Sequence, residues 1–352
     1  MIANFTYRSD PVRIVFGVGA VSALAAEADV HKMSRIVVLC SKTRADFAKR
    51  LVAPLGARCV GFCDTAGQTM PRDAFERILA DLKRHQADGF IVIGGGSPIG
   101  LAKAAGATTK LPYIAVVTTY SGSEMAARWY IGAAESRVEG ESVAALPATA
   151  IYDPALTVDL PVKTSAASGM NAMAHAVESL YGRDTNPVVE TMAEEAARLL
   201  ASSLPRIVAN PADLDARTDA LYGAWLAANF RAKTGLEHAM AQRIRQWFGL
   251  EHAQCHAICT PYAIAFNADA APKAMERIKR ALGVPDAGRG LYDLNVRIGL
   301  PTGLKDIGMR ESDIDKAVEV VAAASITHPK KPSGADLRNI IGQAFAGAPP
   351  RF

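Results

Sequence analysis

The sequence has no long hydrophobic run. Its apolar stretches, such as residues 90–93 and 114–117, are far shorter than the ~20 residues that a membrane-spanning helix needs. The first residues also lack the basic segment followed by an apolar segment that marks a secretory signal. We therefore expect a cytoplasmic protein with no membrane span.

The sequence contains few cysteines, and their number is odd. Five cysteines in a chain expected to be intracellular argue against a disulfide framework. Cys255 and Cys259 lie beside His252 and His256, but a structural zinc site normally shows two tight pairs of ligands. We expect these cysteines to pack as small hydrophobic residues.

Charge of one sign is not concentrated anywhere. The chain has 39 basic and 35 acidic residues, a net charge of +4, and the two signs are mixed along its length. A nucleic-acid-binding protein usually carries a basic stripe. We therefore expect small molecules rather than nucleic acid as partners.

The chain of 352 residues is long for one core and should form two domains. Short apolar runs first alternate with amphipathic segments, which is typical of a parallel sheet with crossover helices. From about Pro154 the pattern becomes helical, and residues 186–187 (Asn-Pro) are a good helix start. We predict an α/β domain over residues 1–153 and an all-helical domain over residues 154–352. The predicted strands are 35–40, 56–63, 90–93 and 113–117; the predicted helices include 45–53, 72–85, 213–232, 272–282, 290–298 and 311–324.

A glycine run follows the third predicted strand. Gly94, Gly95 and Gly96 let a ligand approach the backbone closely, and Ser97 then begins a predicted helix whose free amide groups favour a phosphate. A turn at the carboxyl end of a parallel strand is where such a sheet binds a dinucleotide. The N-terminal domain is therefore predicted to bind a dinucleotide, although the run is not the usual Rossmann fingerprint.

Polar residues follow two other predicted strands. Thr118, Thr119 and Ser121 could hold the ribose or the nicotinamide amide of the cofactor. Ser41 stands where an acidic residue would hold the ribose hydroxyls of NAD, and the basic residues just after it would suit the phosphate of NADP. The sequence leaves NADH and NADPH both open.

Four polar residues outline a second site. Asn171 and His175 are four residues apart, so on a helix they share one face, and His238 and His252 could converge on that face. Three imidazoles can hold zinc, but a divalent metal would prefer a carboxylate to the amide of Asn171. Without a metal, the same groups could bind a substrate carbonyl or carboxylate directly.

As an ordered set, these motifs resemble the iron-containing alcohol dehydrogenase superfamily, and within it the maleylacetate reductase branch. The resemblance covers nearly the whole chain. The motifs that carry it are residues 94–97 (GGGS), 118–124 (TTYSGSE), 151–154 (IYDP), 169–175 (GMNAMAH), 235–252 and 299–309.

The resemblance implies a fold like that of dehydroquinate synthase and iron alcohol dehydrogenase, with the active site in a cleft between the two domains. It implies an NADH- or NADPH-dependent reductase that converts maleylacetate to 3-oxoadipate in aromatic-compound catabolism, commonly as a homodimer. It matches His175, His238 and His252 to three metal-binding histidines of the metal-dependent members, with Asn171 in place of an aspartate.

The chain also departs from this pattern. Gln242 stands where the family commonly has a further histidine, and it is one of the candidate catalytic residues. Arg245 and Gln246 stand in place of two glycines, and Glu141 stands in place of an arginine. These changes favour an alternative in which the fold is kept but the chemistry has become that of a lyase, a cyclase or a binding protein. The retained glycine turn favours a reductase.

Overall fold

The computed structural model describes residues 4–64, 70–132, 137–230, 235–326 and 329–352. It contains two compact units, Ser9–Leu160 and Pro161–Phe352, and residues 4–8 belong to the second of them. The predicted division after residue 153 lies shortly before the observed one. In the described residues, no helix combines the length and the apolar character that crossing a membrane would require.

The N-terminal unit is an α/β structure, as predicted. Its eight strands are β1 Arg13–Phe16, β2 Ile36–Cys40, β3 Cys59–Asp64, β4 Gly89–Gly94, β5 Tyr113–Val117, β6 Arg128–Ile131, β7 Val138–Glu141 and β8 Thr149–Tyr152, and its four α-helices are α1 Leu24–Val30, α2 Ala45–Val52, α3 Arg72–Arg84 and α4 Gly96–Thr109.

Six strands form one parallel sheet in the order β1-β8-β5-β4-β2-β3, and β6 and β7 form a separate antiparallel pair. The chain leaves β2 toward one edge of the sheet and leaves β4 toward the other. The carboxyl ends of these adjacent strands therefore form a topological switch point, which is where open α/β sheets bind ligands. Strands β2, β4 and β5 are buried on both faces, as parallel strands under helices must be.

Two details of this unit differ from the prediction. The strand predicted at 56–63 begins only at Cys59, because Ala53–Arg58 forms a 3-10 segment in which Gly56 adopts a φ of 56°. Helix α1 and the strands β1, β6, β7 and β8 were not predicted. Each of these strands has only four residues and shows little periodicity.

The C-terminal unit is helical, and no strand occurs in its described residues. Its helices are α5 Val162–Ser179, α6 Pro187–Ala209, α7 Leu214–Ala228, α8 Leu236–Phe248, α9 His252–Phe266, α10 Pro272–Leu282, α11 Ala287–Arg297, α12 Ile314–Ala322 and α13 Gly334–Ala346.

The predicted helices were confirmed here with shifted ends. The helix predicted at 311–324 begins with a 3-10 segment, Glu311–Asp313, and ends at Ala322. The helix predicted at 213–232 ends at Ala228, and positions 231–232 lie outside the described residues. All five cysteines are free, four of them are buried, and Cys255 and Cys259 belong to a hydrophobic core, which confirms the packing role predicted for them.

The start of α6 follows from its sequence. Asn186 is extended, and its Oδ1 accepts hydrogen bonds from the backbone N–H groups of Val188 (3.1 Å) and Val189 (3.2 Å). Pro187 occupies the first helical position, where no N–H is needed. The side chain thus satisfies two of the donors that a helix start leaves open.

We expect Asn186→Ala to lower the free energy of unfolding by about 1 kcal/mol, because both capping bonds are lost. Urea denaturation followed by circular dichroism measures the change. Asn186→Ser keeps a capping oxygen and should retain most of the stability. Equal losses in the two variants would show that the cap is not the cause.

Candidate active site

Helix α5 carries Asn171 and His175 on one face, as predicted. Gly169 lies two residues before Asn171, and a Cβ atom there would overlap the side chain of Leu204 on α6, so glycine permits the close packing of the two helices. Asn171 is buried, and its Oδ1 has no hydrogen-bond partner among the described residues. His175 is partly exposed.

His238 lies against His175 and is held from behind by an acid. Its Nδ1–H donates to Oε2 of Glu178 at 2.6 Å. Its Nε2 lies 3.0 Å from Nδ1 of His175 and 3.4 Å from Nε2 of the same ring. Both His238 and Glu178 are almost fully buried. The bond to the carboxylate fixes the orientation of the imidazole, so its opposite nitrogen faces His175.

The same carboxylate also anchors the start of α8. Gly235, the N-cap residue, has no side chain that could cap the helix. Oε1 of Glu178 instead accepts the backbone N–H of Glu237 at 2.8 Å. A carboxylate is a favourable partner for a helix N-terminus, so Glu178 both places His238 and begins the helix that carries it.

A second buried acid, Glu237, lies between two histidines. Its Oε1 accepts from Nδ1–H of His256 at 2.9 Å, and the hydroxyl of Thr260 lies 3.4 Å from the same oxygen. Its Oε2 lies 2.7 Å from Nδ1 of His238, but the two are not aligned as a hydrogen bond. Nε2 of His256 is buried and has no partner among the described residues.

His252 and Gln242 lie at the exposed side of this group. His252 is the first residue of α9, and its ring centre is 4.6 Å from that of His256, which in turn is 4.9 Å from that of His238. Gln242 is exposed on α8, one turn after His238. We refer to His175, His238, His252 and His256 as the histidine cluster.

The two acids determine where the protons lie. Burial would lower the pKa of His238, but Glu237 and Glu178 outweigh it and raise that pKa to about 10. Burial and then the neighbouring His238 hold the pKa of His175 well below its usual range. His238 is therefore an imidazolium that donates its Nε2–H to Nδ1 of a neutral His175.

The predicted metal ligands do not form a ready-made cation site. Ligands of one zinc ion lie within about 4.2 Å of each other, twice the metal–nitrogen distance. In the described residues, the only such group of histidine, cysteine or acidic ligand atoms within 4.8 Å is Glu237, His238 and His256, and these are already joined to one another and to Glu178. His252 contacts His256 but is not part of that group. These positions do not fit a divalent cation, and we derive no step through one.

Glu178 and Glu237 were missed in the sequence. The spacing of Glu178 could have indicated its place in the site, because it follows His175 by three residues and so lies near the same helical face. The spacing of Glu237 gives no such indication, since Glu237 is adjacent to His238 and points about 100° away from it around α8.

In the N-terminal unit, the predicted nucleotide-binding residues meet at one edge of the sheet. Cys40 pairs with Ile93, and Gly94 pairs with Val117. Ser41, the glycine turn and Thr118 therefore follow three adjacent strands at the switch point.

The glycine turn is shaped for close contact. A Cβ on Gly95 would lie 2.6 Å from Oγ1 and Cγ2 of Thr119, and one on Gly96 would lie 3.7 Å from Cβ of Ser121. Gly95 is the N-cap of α4 and offers no capping side chain. The start of a long helix therefore lies at this turn, and the amide groups of a helix start favour an anionic ligand.

Buried charges support the loop beside this turn. Lys103 on α4 is buried, and its Nζ donates to the carbonyl oxygen of Ser123 at 2.9 Å. Burial lowers the pKa of Lys103 to about 8, against the opposing effect of Glu124. Glu124 is also buried and accepts the hydroxyl of Tyr152 at 2.7 Å.

Comparison with known proteins matches both units of the chain to one family. Residues 11–154 match the family model for iron-containing alcohol dehydrogenase, and residues 165–345 match the C-terminal model of the Fe-containing alcohol dehydrogenase family. The chain belongs to the iron-containing alcohol dehydrogenase family. The predicted resemblance is thereby confirmed.

Within this family the chain lies in the maleylacetate reductase branch. It is 40% identical to the maleylacetate reductase of Sphingobium indicum, with 99% of each chain covered, and 39% identical to that of Burkholderia cepacia, with 98% of this chain and 99% of the relative covered. The crystal structure of maleylacetate reductase from Agrobacterium tumefaciens is 33% identical, covers 99% of this chain and 100% of its own, and superposes with a TM-score of 0.95. The predicted fold class is confirmed.

We expect His238 to stay protonated well above neutral pH. Its pKa is raised from 6.5 in the unfolded chain to about 10 in the folded protein. Its stabilising contribution is therefore complete below pH 6.5 and is lost as the pH rises through 10. Long-range ¹H–¹⁵N spectra of histidine-labelled protein, recorded from pH 6 to 10, follow its ring nitrogens directly.

Glu178→Gln removes one of the two acids and should move this titration to lower pH. Glu190→Gln, an acid on the partly exposed surface of α6, is the matched control and should not move it. A histidine spectrum in which all rings titrate near pH 6.5 would contradict the charge state assigned to His238.

Proposed function

We propose that this protein reduces the carbon–carbon double bond of maleylacetate, or of a related unsaturated oxo acid, to give 3-oxoadipate or its analogue. The observation that carries the proposal is the match along nearly the full chain to several maleylacetate reductases at 34–40% identity. Both the glycine turn and the histidine cluster lie within the matched length.

The reductant is NADH or NADPH, and its nicotinamide supplies the hydride. The amide groups at the start of α4 suit the pyrophosphate, and Ser41, Thr118, Thr119 and Ser121 are the proposed contacts for the rest of the cofactor. Lys103 holds the loop that carries the last three of these residues through its bond to Ser123.

The histidine cluster donates a proton to the substrate. Hydride adds to the alkene carbon made electrophilic by the conjugated carbonyl, and the negative charge moves to the carbonyl oxygen as an enolate. Nε2–H of His175 would donate to that oxygen, and His238 would replace the lost proton through its bond to Nδ1 of His175. The neighbouring carbon then takes a proton from solvent while the enol oxygen returns its proton to the histidine cluster, so one hydride and one proton are added in total and the saturated oxo acid results.

Asn171, Gln242 and His252 complete the proposed site. The Nδ2–H₂ group of Asn171 and the exposed amide of Gln242 can donate to substrate oxygens, and His252 lies at the exposed side of the cluster. Glu178 and Glu237 do not contact the substrate in this scheme. They are positioning residues, because they act through His238 and His256.

We also propose a cytoplasmic homodimer, on the strength of the resemblance to maleylacetate reductases. Light scattering coupled to size-exclusion chromatography tests the assembly. A mass near the 37.2 kDa of a single chain would contradict it.

The decisive assay is loss of NADH or NADPH absorbance at 340 nm on adding maleylacetate. We expect saturable turnover that survives treatment with a chelator, because the histidine cluster is held together by hydrogen bonds to Glu178 and Glu237. Lack of binding to either nucleotide would exclude a reductase. Inactivation by chelator, reversed by added zinc or iron, would show that Asn171 and the three predicted histidines do hold a metal.

Gly95→Ala tests the nucleotide-binding turn. The added methyl group would meet the β-branched Thr119, so the turn must shift away from its ligand, and we expect the KM for NADH or NADPH to rise about tenfold, equivalent to about 1.4 kcal/mol. Gly342→Ala is the matched control, since nothing lies within 4 Å of the added Cβ on α13. An unchanged nucleotide KM in the Gly95 variant would place the cofactor elsewhere.

A further inference from the structure

Arg245 is a charged side chain for which the mechanism above has no role. It lies in the last turn of α8, seven residues after His238, so the two side chains project from the same helical face about 10 Å apart along the axis. Gln242 lies between them on that face. Arg245 is therefore aligned with the histidine cluster rather than with the outer surface of the helix.

The guanidinium of Arg245 is incompletely satisfied. Its Nε is buried and has no hydrogen-bond acceptor in the part of the chain that the structure describes. A buried N–H without an acceptor is costly. The preferred partner of a guanidinium is a carboxylate, which it binds through two parallel N–H groups.

Arg245 also has an electrostatic effect on His252, at the exposed side of the histidine cluster. One side of His252 is open to solvent, and protein surrounds the rest of the side chain. This partial burial, and then the charges of His256 and Arg245, lower the pKa of His252. The ring of His252 is in contact distance of His256. The guanidinium thus lies near the edge of the cluster.

The opposite end of this helical face is unsuited to an anion. Glu178 and Glu237 lie directly behind His238, so two buried carboxyl groups lie at that end of the face. A substrate carboxylate placed there would be repelled. A substrate with a reacting carbonyl near His175 would therefore place its carboxylate toward Arg245.

We propose that Arg245 binds a carboxylate of the substrate, which makes it a determinant of specificity for unsaturated oxo acids with two carboxylates. The inference rests on the proposed function, because it assumes that the substrate occupies the histidine cluster.

The test compares Arg245→Gln with Arg243→Gln. Both changes remove one positive charge from α8, but Arg243 is exposed and projects from another side of the helix. We expect the KM for maleylacetate to rise about 10- to 100-fold in Arg245→Gln, the range for loss of a charged hydrogen-bonded pair. The kcat and the KM for the nucleotide should change less than about twofold, which separates lost binding from a general disturbance of the fold.

Arg245→Lys should recover part of the loss, because it keeps the charge but not the paired N–H groups. Arg243→Gln should behave as the wild type. The inference is overturned if the maleylacetate KM is unchanged in Arg245→Gln, or if Arg243→Gln raises it equally.

Calorimetric titration with 3-oxoadipate separates this inference from the proposed function, since it needs no turnover. If the wild type binds 3-oxoadipate and Arg245→Gln does not, the carboxylate site stands even if maleylacetate is not reduced. If both proteins bind it equally, the site is excluded while the reductase activity can still hold. If neither protein binds it, the carboxylate site is also excluded.

Discussion

The buried contact between Glu178 and His238 is the interaction on which the candidate site depends. Two ionised groups removed from water are stable only when each is well paired. Here one oxygen of the carboxylate holds the imidazolium and the other holds the first turn of α8. The position of a reactive side chain and the start of the helix that carries it are therefore set by a single residue on α5.

The two buried acids also set the distribution of charge within the histidine cluster. Four imidazole rings in close contact would repel each other if several were charged. Glu237 and Glu178 hold the positive charge on His238, whereas burial and then that charge keep His175 neutral. The acids and the burial together give neighbouring histidines different protonation states, as in other sites that separate an acid from its neighbours.

Much of this structure could be predicted from the sequence, and the failures have physical causes. Long helices with clear caps, such as α6 after Asn186, and buried strands such as β5 show strong periodic patterns. The four-residue strands β1 and β8 do not, because their place in the sheet depends on partners distant in the chain. The histidines could be found from their spacing, but the bridging role of Glu237 arises only when α8 and α9 pack together.

The site was predicted less completely than the fold for a related reason. A residue type and its spacing indicate which groups can share a helical face, but not which of them are buried in contact. His256 and Glu237 illustrate this, since neither spacing nor composition shows that their side chains meet. The cation site predicted for His175, His238 and His252 depended on such a convergence, and the described geometry joins only the first two directly.

The division of the candidate residues between the two compact units has an evolutionary consequence. All proposed nucleotide contacts belong to Ser9–Leu160, and all proposed substrate contacts belong to Pro161–Phe352. Substitutions in α8, for example at Gln242 or Arg245, can therefore alter the choice of substrate without touching the glycine turn. A family built in this way can diversify its chemistry by changing a few positions on one helix while it retains the same source of hydride.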